Sequence, residues 1–92
     1  MIALLRTLDD LGYVIECAAL DFIGEGRTEL GKLCDNLENN AEYFFDGRDR
    51  ILGGLRDALA CYRRDDKADG TIRVTQISRE LWQLSGGVSR NR

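Results

Sequence analysis

The stretch DNLENNAEYFFDGRDRIL, residues 35–52, decides the fold, because it holds an Asp46-Gly47 pair between two apolar segments. Asp-Gly is a known turn signal for a β-hairpin, but a hairpin needs alternating apolar and polar residues on both sides. The segment 48–52 does not alternate. Apolar residues instead recur at helical spacing through the stretch, which predicts helices on both sides of the pair. The seven-residue series is Leu37, Phe44, Ile51 and Ala58.

A single helix from Thr28 to Arg64 would be about 55 Å long, which is longer than a compact domain of 92 residues accommodates. We therefore expect a break or sharp kink near Gly47, which divides this part of the chain into helices at residues 28–46 and 48–64. One uninterrupted helix remains the alternative, since a glycine inside a helix costs only about 1 kcal/mol relative to alanine.

The first 23 residues predict a helix over residues 2–23 that ends at Gly24-Glu25-Gly26. Its main apolar positions are spaced by three and four residues, which places them on one stripe. A second apolar strip lies on another side of the same helix and indicates a central position or a contact with another chain. The main stripe is Leu4, Leu8, Leu11, Ile15, Ala18 and Phe22, and the second strip is Ile2, Tyr13, Cys17 and Leu20.

The last third of the chain predicts a charged linker, RDDKADG at residues 64–70, and then a helix at 75–85 with Thr75 as its N-cap. Residues 71–77 begin with alternating β-favouring residues, so a short extended segment is the alternative there. Residues 86–92 are expected to form a frayed tail.

The composition predicts a single all-α domain over residues 1–92, a small bundle of three to four helices. Apolar residues make up 43% of the chain and charged residues 32%, as in ordinary globular proteins. The absence of proline fits long helices with short connections. With 92 residues, the chain has enough material for one modest core.

The charge balance is mildly acidic, with a net charge of −3 and a pI near 4.9. Acidic residues dominate between Asp9 and Glu42, whereas arginines dominate from Arg73 onward. Charged residues interrupt the apolar N-terminal segment, so neither a membrane span nor a signal peptide is expected. Three cysteines, an odd number, fit a reducing compartment, and we expect a cytoplasmic protein.

The residue types give no support for catalysis. Histidine is absent, which removes the commonest general base and the usual nucleophile systems. The segment GEGRTELGK, residues 24–32, lacks the spacing of a P-loop. The cysteines are expected to be buried thiols on three helices rather than zinc ligands, and the carboxylates to form a solvated face. No catalytic residue, cofactor or metal is predicted. The cysteines are Cys17, Cys34 and Cys61, and the carboxylates are Asp9, Asp10, Glu16, Asp21, Glu38 and Glu42.

What remains is more apolar helix surface than a short chain easily covers, which is typical of a partner interface. We therefore expect a non-enzymatic protein–protein interaction module, such as a small acidic adaptor or inhibitor of bacterial or phage origin. Its partner is expected to be another protein or a second copy of the chain, with a homo-oligomer as the main expectation. An acidic face would steer the module toward basic surfaces. The expected interface residues are Tyr13, Leu20, Tyr43, Phe45 and Trp82.

The alternative is a small DNA-associated regulator that uses the basic C-terminal segment. A helix, a glycine turn and a basic end faintly resemble the arrangement of a helix-turn-helix, but no recognition helix follows the turn. The acidic body also disfavours nucleic acid. The arginines for this alternative are Arg73, Arg79, Arg90 and Arg92.

Overall fold

Four α-helices and one short 3₁₀ helix account for most of residues 2–86, the part of the chain that the computed structural model describes. The helices are α1 (Ile2–Ala19), α2 (Ile23–Asn39), α3 (Arg48–Arg63) and α4 (Lys67–Leu84), with the 3₁₀ helix at Ala41–Tyr43. No strand occurs between residues 2 and 86. The prediction of a small all-α bundle is therefore confirmed.

The helices pack in a closed ring, in which α1 contacts α2, α2 contacts α3, α3 contacts α4, and α4 returns to α1. Three-residue connections join α1 to α2 and α3 to α4, and such short connections make consecutive helices antiparallel. All four helices contribute to one core. Its most deeply buried large side chains are Leu11, Leu30, Leu33, Leu37, Ile51, Leu55 and Leu81.

The boundary between α1 and α2 differs from the sequence prediction. Helix α1 ends at Ala19 because Asp21 adopts the left-handed conformation, with φ +64°. The amide of Phe22 then donates to the carbonyl of Cys17, and the amide of Asp21 to that of Ala18, which is the bonding pattern of a Schellman stop. The glycine pair that was expected to end the helix lies inside α2, which begins at Ile23 rather than Thr28.

The predicted break near Gly47 is confirmed. Gly47 has φ +88° and immediately precedes α3, a conformation that glycine adopts without steric cost. Upstream, α2 ends at Asn39, and the Asn40 side chain accepts a hydrogen bond from the Glu42 amide to start the 3₁₀ helix. The stretch 28–64 is thus two α-helices with a short irregular connection.

The aromatic triple in that connection corrects two expected interface positions. Tyr43 and Phe45 are buried, at 8% and 9% exposure, whereas Phe44 is 62% exposed. The prediction of exposure for Tyr43 and Phe45 is therefore wrong. It assumed a helix, but Phe44 is extended (φ −79°, ψ 132°), and side chains alternate between opposite sides of an extended segment. The Tyr43 hydroxyl donates to the Asp10 carboxylate over 2.8 Å and ties the connection to α1.

Helix α4 begins at Lys67, eight residues earlier than predicted. Asp66 caps it by accepting a hydrogen bond from the Asp69 amide at 3.4 Å. The expected linker at 64–70 is therefore mostly the first turn of a helix. Residues 71–77 are helical, so the extended alternative is wrong there. The predicted frayed tail at 86–92 lies, apart from Gly86, outside the described residues.

Between residues 2 and 86, none of the helices has the combination of length and apolar character needed to cross a membrane.

Candidate protein-docking surface

Large apolar side chains remain exposed on several helices, and they include three of the five predicted interface residues. Tyr13 is 42%, Leu20 59% and Trp82 43% exposed. Tyr13 and Leu20 belong to the second apolar strip predicted for α1, which was expected to lie centrally or to contact another chain. Their role in an interface stays a prediction. The other exposed large apolar residues are Ile2, Leu5, Phe22, Phe44, Ile72 and Leu84.

Trp82 lines a groove of about 330 Å³ between α1 and α4. Leu8 forms the α1 side of this groove, and Leu8 is only partly buried against the core. Leu5 lies three residues before Leu8, so the two side chains are neighbours on the helix surface. Leu5 therefore extends the apolar surface beside the groove. Leu5, Leu8 and Trp82 are called the α1–α4 face below. The rest of the groove is formed by Ser78, Arg79 and Gln83.

The rims of the α1–α4 face carry opposite charges. Arg79 lines the groove on α4. Asp9 is exposed on α1 and lies one turn beyond Leu5, which makes it a neighbour of Leu5 on the helix surface. Neither Asp9 nor Arg79 forms an ion pair within residues 2–86. An acidic α1 rim and a basic α4 rim therefore flank an apolar centre.

Tyr13 and Leu20 do not belong to this face. Tyr13 lies on the α2 side of α1, where its hydroxyl donates to the Glu25 carboxylate in the first turn of α2. This hydrogen bond raises the pKa of the Tyr13 phenol well above its usual range, because it favours the protonated form. Leu20 lies seven residues after Tyr13, in the connection between the two helices. The structure therefore brings Trp82 together with Leu8, not with Tyr13 or Leu20.

The predicted acidic face is partly neutralised by internal partners. Glu42 pairs with Arg6 at 3.1 Å, Glu38 pairs with Arg56, and Asp10 accepts the Tyr43 hydroxyl. Asp21 pairs with Lys67; the hydrogen bond from Lys67 and its charge hold the pKa of the Asp21 carboxyl below its usual range. Asp9 and Glu16 are the two of the six predicted carboxylates with no hydrogen bond or ion pair recorded within residues 2–86.

The three cysteines are buried and free, as expected of thiols that pack as small apolar groups. They lie on α1, α2 and α3. The Cys61 thiol donates to Asp69 over 3.6 Å, and ligand atoms of Cys61, Asp66 and Asp69 lie within 4.8 Å of one another. Asp66 is the N-cap of α4 and accepts a hydrogen bond from the Asp69 amide in the first turn. The Arg64 guanidinium contacts Cys61, and the Arg73 guanidinium contacts Asp69. Two neighbouring cations disfavour a metal ion there.

The two arginines of the DNA-binding alternative that the structure describes, Arg73 and Arg79, lie on different sides of α4. Arg73 pairs with Asp69 at 3.4 Å, while Arg79 lines the groove beside Trp82. Six residues separate them on α4, which turns their side chains to different sides of the helix. Arg90 and Arg92 lie outside the described residues.

Sequence reasoning missed Leu5 and Leu8 as parts of the exposed face. Leu8 was placed on the main stripe of α1, where its spacing to Leu4 and Leu11 puts it. It lies at the edge of that stripe, next to α4, and only the pairing of α1 with α4 shows this. The three-residue spacing between Leu5 and Leu8 is the one sequence signal that would have indicated that the two side chains adjoin.

The chain matches no protein-family model, no curated protein and no solved structure. The residues themselves are therefore the basis for the function proposed next.

Proposed function

We propose that this chain is a non-enzymatic protein–protein interaction module of the adaptor or inhibitor kind, which docks through its α1–α4 face. The observation that carries the proposal is the 43% exposure of Trp82 in a groove whose opposite wall is Leu8. Tryptophan is enriched among the residues that dominate binding energy at protein interfaces. Covering Trp82 and its leucine neighbours removes apolar surface from water, which stabilises a complex.

The partner that best fits this face is a second copy of the chain. Two-fold interfaces use the same patch on both subunits. With the two-fold axis parallel to the helices, α1 of one protomer lies over α4 of the other. That arrangement brings the acidic rim at Asp9 opposite the basic rim at Arg79 of the other copy, twice. The apolar centres of the two copies then contact each other, and the acidic rim of each copy faces the basic rim of the other.

Charge reversal tests this arrangement. Asp9→Arg and Arg79→Asp each place like charges across the interface, so each single variant is expected to dissociate at higher protein concentration than the unmodified chain. The double variant restores opposite charges and is expected to recover most of the association. Sedimentation velocity at several concentrations measures all four proteins.

The control for general charge effects is Arg48→Asp, at a residue that contacts Phe44 and Asp49 away from the face. Equal association of all variants, or failure of the double variant to recover, contradicts the proposed pairing.

A further inference from the structure

A second groove, of about 820 Å³, runs between α2 and α3, and most of the charged side chains that line it are basic although the chain is acidic. Five of the thirteen Lys and Arg residues line it, together with one acid, Asp35. Such a local reversal of charge destabilises the fold through like-charge repulsion, so packing alone does not explain it. The cations are Arg27 and Lys32 from α2, Arg56 from the middle of α3, Arg63 from its last turn, and Arg64 from its C-cap.

Ion pairs within the chain neutralise three of the five cations of the groove. Arg56 pairs with Glu38, Lys32 with Glu29 at 3.4 Å, and Arg64 with Asp66 at the long distance of 3.9 Å. Within residues 2–86, no salt bridge is formed by Arg27 or Arg63. With Asp35 and these three pairing acids, four acids stand against the five cations, so the excess of positive charge is small and is carried by Arg27 and Arg63.

The floor of the groove leaves room for a ligand. Gly31 and Ala60 have no long side chains, and no atom outside the helix backbone lies within 4 Å of the point where a Cβ on Gly31 would be. Cys34 also lines the groove, and burial raises the pKa of its thiol to about 11, so it stays neutral. The groove is therefore suited to binding an anion through its cations, and not to nucleophilic attack by a thiolate.

The length and chemistry of the groove identify the class of ligand. Its α2 wall extends from Arg27 to Asp35, about 12 Å along the helix. Four of its five cations are arginines, whose planar guanidinium groups match phosphate oxygens in pairs. The acids Glu38 and Asp66, which pair with Arg56 and Arg64, lie beside the groove and would repel the continuation of a long polyanion.

We infer that the α2–α3 groove is a binding site for a compact ligand carrying two or more phosphate groups, held by Arg27, Arg63 and the neighbouring cations. Residues of the segment GEGRTELGK supply Arg27 and Lys32 to it. They do so through side chains on the first turns of a helix, not through the backbone of a phosphate-binding loop. This site lies on α2 and α3 and is separate from the α1–α4 face.

Titration calorimetry with inorganic tripolyphosphate tests the site. Saturable binding with one ligand per chain is expected. Arg27→Gln/Arg63→Gln is expected to weaken it by at least about tenfold, since charge-assisted hydrogen bonds to phosphate are lost at two positions. The matched control, Arg6→Gln/Arg48→Gln, removes the same charge from other surfaces and is expected to bind as the unmodified chain does. Parallel titrations with ATP and inositol hexakisphosphate show whether a nucleotide or an inositol phosphate is the better source of the phosphates.

A second variant keeps the test valid if the double glutamine variant does not fold. Gly31→Glu introduces a carboxylate into the floor without a steric clash and at a helical position, so it is expected to fold and to abolish binding. The inference is overturned if tripolyphosphate does not saturate the chain, or if both double variants bind equally. It is also overturned if a single-stranded oligonucleotide or a polyglutamate peptide binds more tightly than all three phosphate compounds.

Discussion

Between residues 2 and 86, two acidic residues and two glycines, Gly47 and Gly86, adopt left-handed backbone conformations next to helix ends. Asp21 and Asp65 have φ +64° and +63°, and each follows the end of a helix. After α3, the amide of Asp66 donates to the carbonyl of Cys61 over 2.8 Å, the same arrangement as at the end of α1. Glycine is the usual residue at such a position, and aspartate is tolerated there at some cost in strain.

Gly47, which precedes α3 in the left-handed conformation, gives the clearest prediction for a single residue. Gly47→Ala is expected to lower the free energy of unfolding by about 1 kcal/mol, because a Cβ disfavours this conformation. Gly53→Ala is the matched control, at an exposed position inside α3 with open space around it. It is expected to raise the free energy of unfolding by roughly 0.5–1 kcal/mol. Urea denaturation measures both, and a loss of stability in the control or none at Gly47 contradicts this account.

At the scale of elements, the helices and both ends of α3 were predictable, but the end of α1, both ends of α2 and the start of α4 were not. The stripe of α3, from Ile51 to Tyr62, is buried as its spacing predicts. Helix stops at Asp21 and Asp65 lack the glycine that marks such stops in a sequence. The glycines at 24 and 26 gave a false signal, because α2 takes them into its first turn.

The start of α4 shows why a boundary can be misplaced by eight residues. Thr75 and Asp66 are both acceptable caps, and the charged segment between them has no apolar stripe to favour the earlier one. What distinguishes them is tertiary packing. The Tyr62 hydroxyl lies 2.9 Å from that of Thr71, and Lys67 pairs with Asp21, so the first turns of α4 are held against two other elements.

This difference predicts unequal effects of two alanine substitutions. Asp66→Ala is expected to lower the free energy of unfolding by about 0.5–1 kcal/mol, because the Asp69 amide loses its partner. Thr75→Ala, inside the helix, is expected to be neutral or slightly stabilising, since alanine has the higher helix propensity. Thermal unfolding followed by circular dichroism compares them. A larger loss at Thr75 than at Asp66 would place the start of α4 where the sequence first suggested.

At the scale of the whole molecule, surfaces that join two helices were beyond sequence reasoning. Trp82 was expected at an interface, but its neighbour Leu8 is contributed by the other end of the chain. The basic α2–α3 groove was missed for the same reason. Its cations come from two segments about thirty residues apart, and acidic residues in between conceal the local excess in any running count of charge.

The central claim is that the α1–α4 face is covered by a second copy of the chain. Static light scattering over a wide range of concentrations measures this most directly, with Trp82→Gln as the disrupting variant. Phe44→Gln is the matched control, because it removes an aromatic ring that is 62% exposed on a different surface. The unmodified chain and the control are expected to reach twice the chain mass of 10.4 kDa, and Trp82→Gln to remain near that mass. A single-chain mass for the unmodified protein at every concentration, or a dimer that survives Trp82→Gln, would contradict the claim.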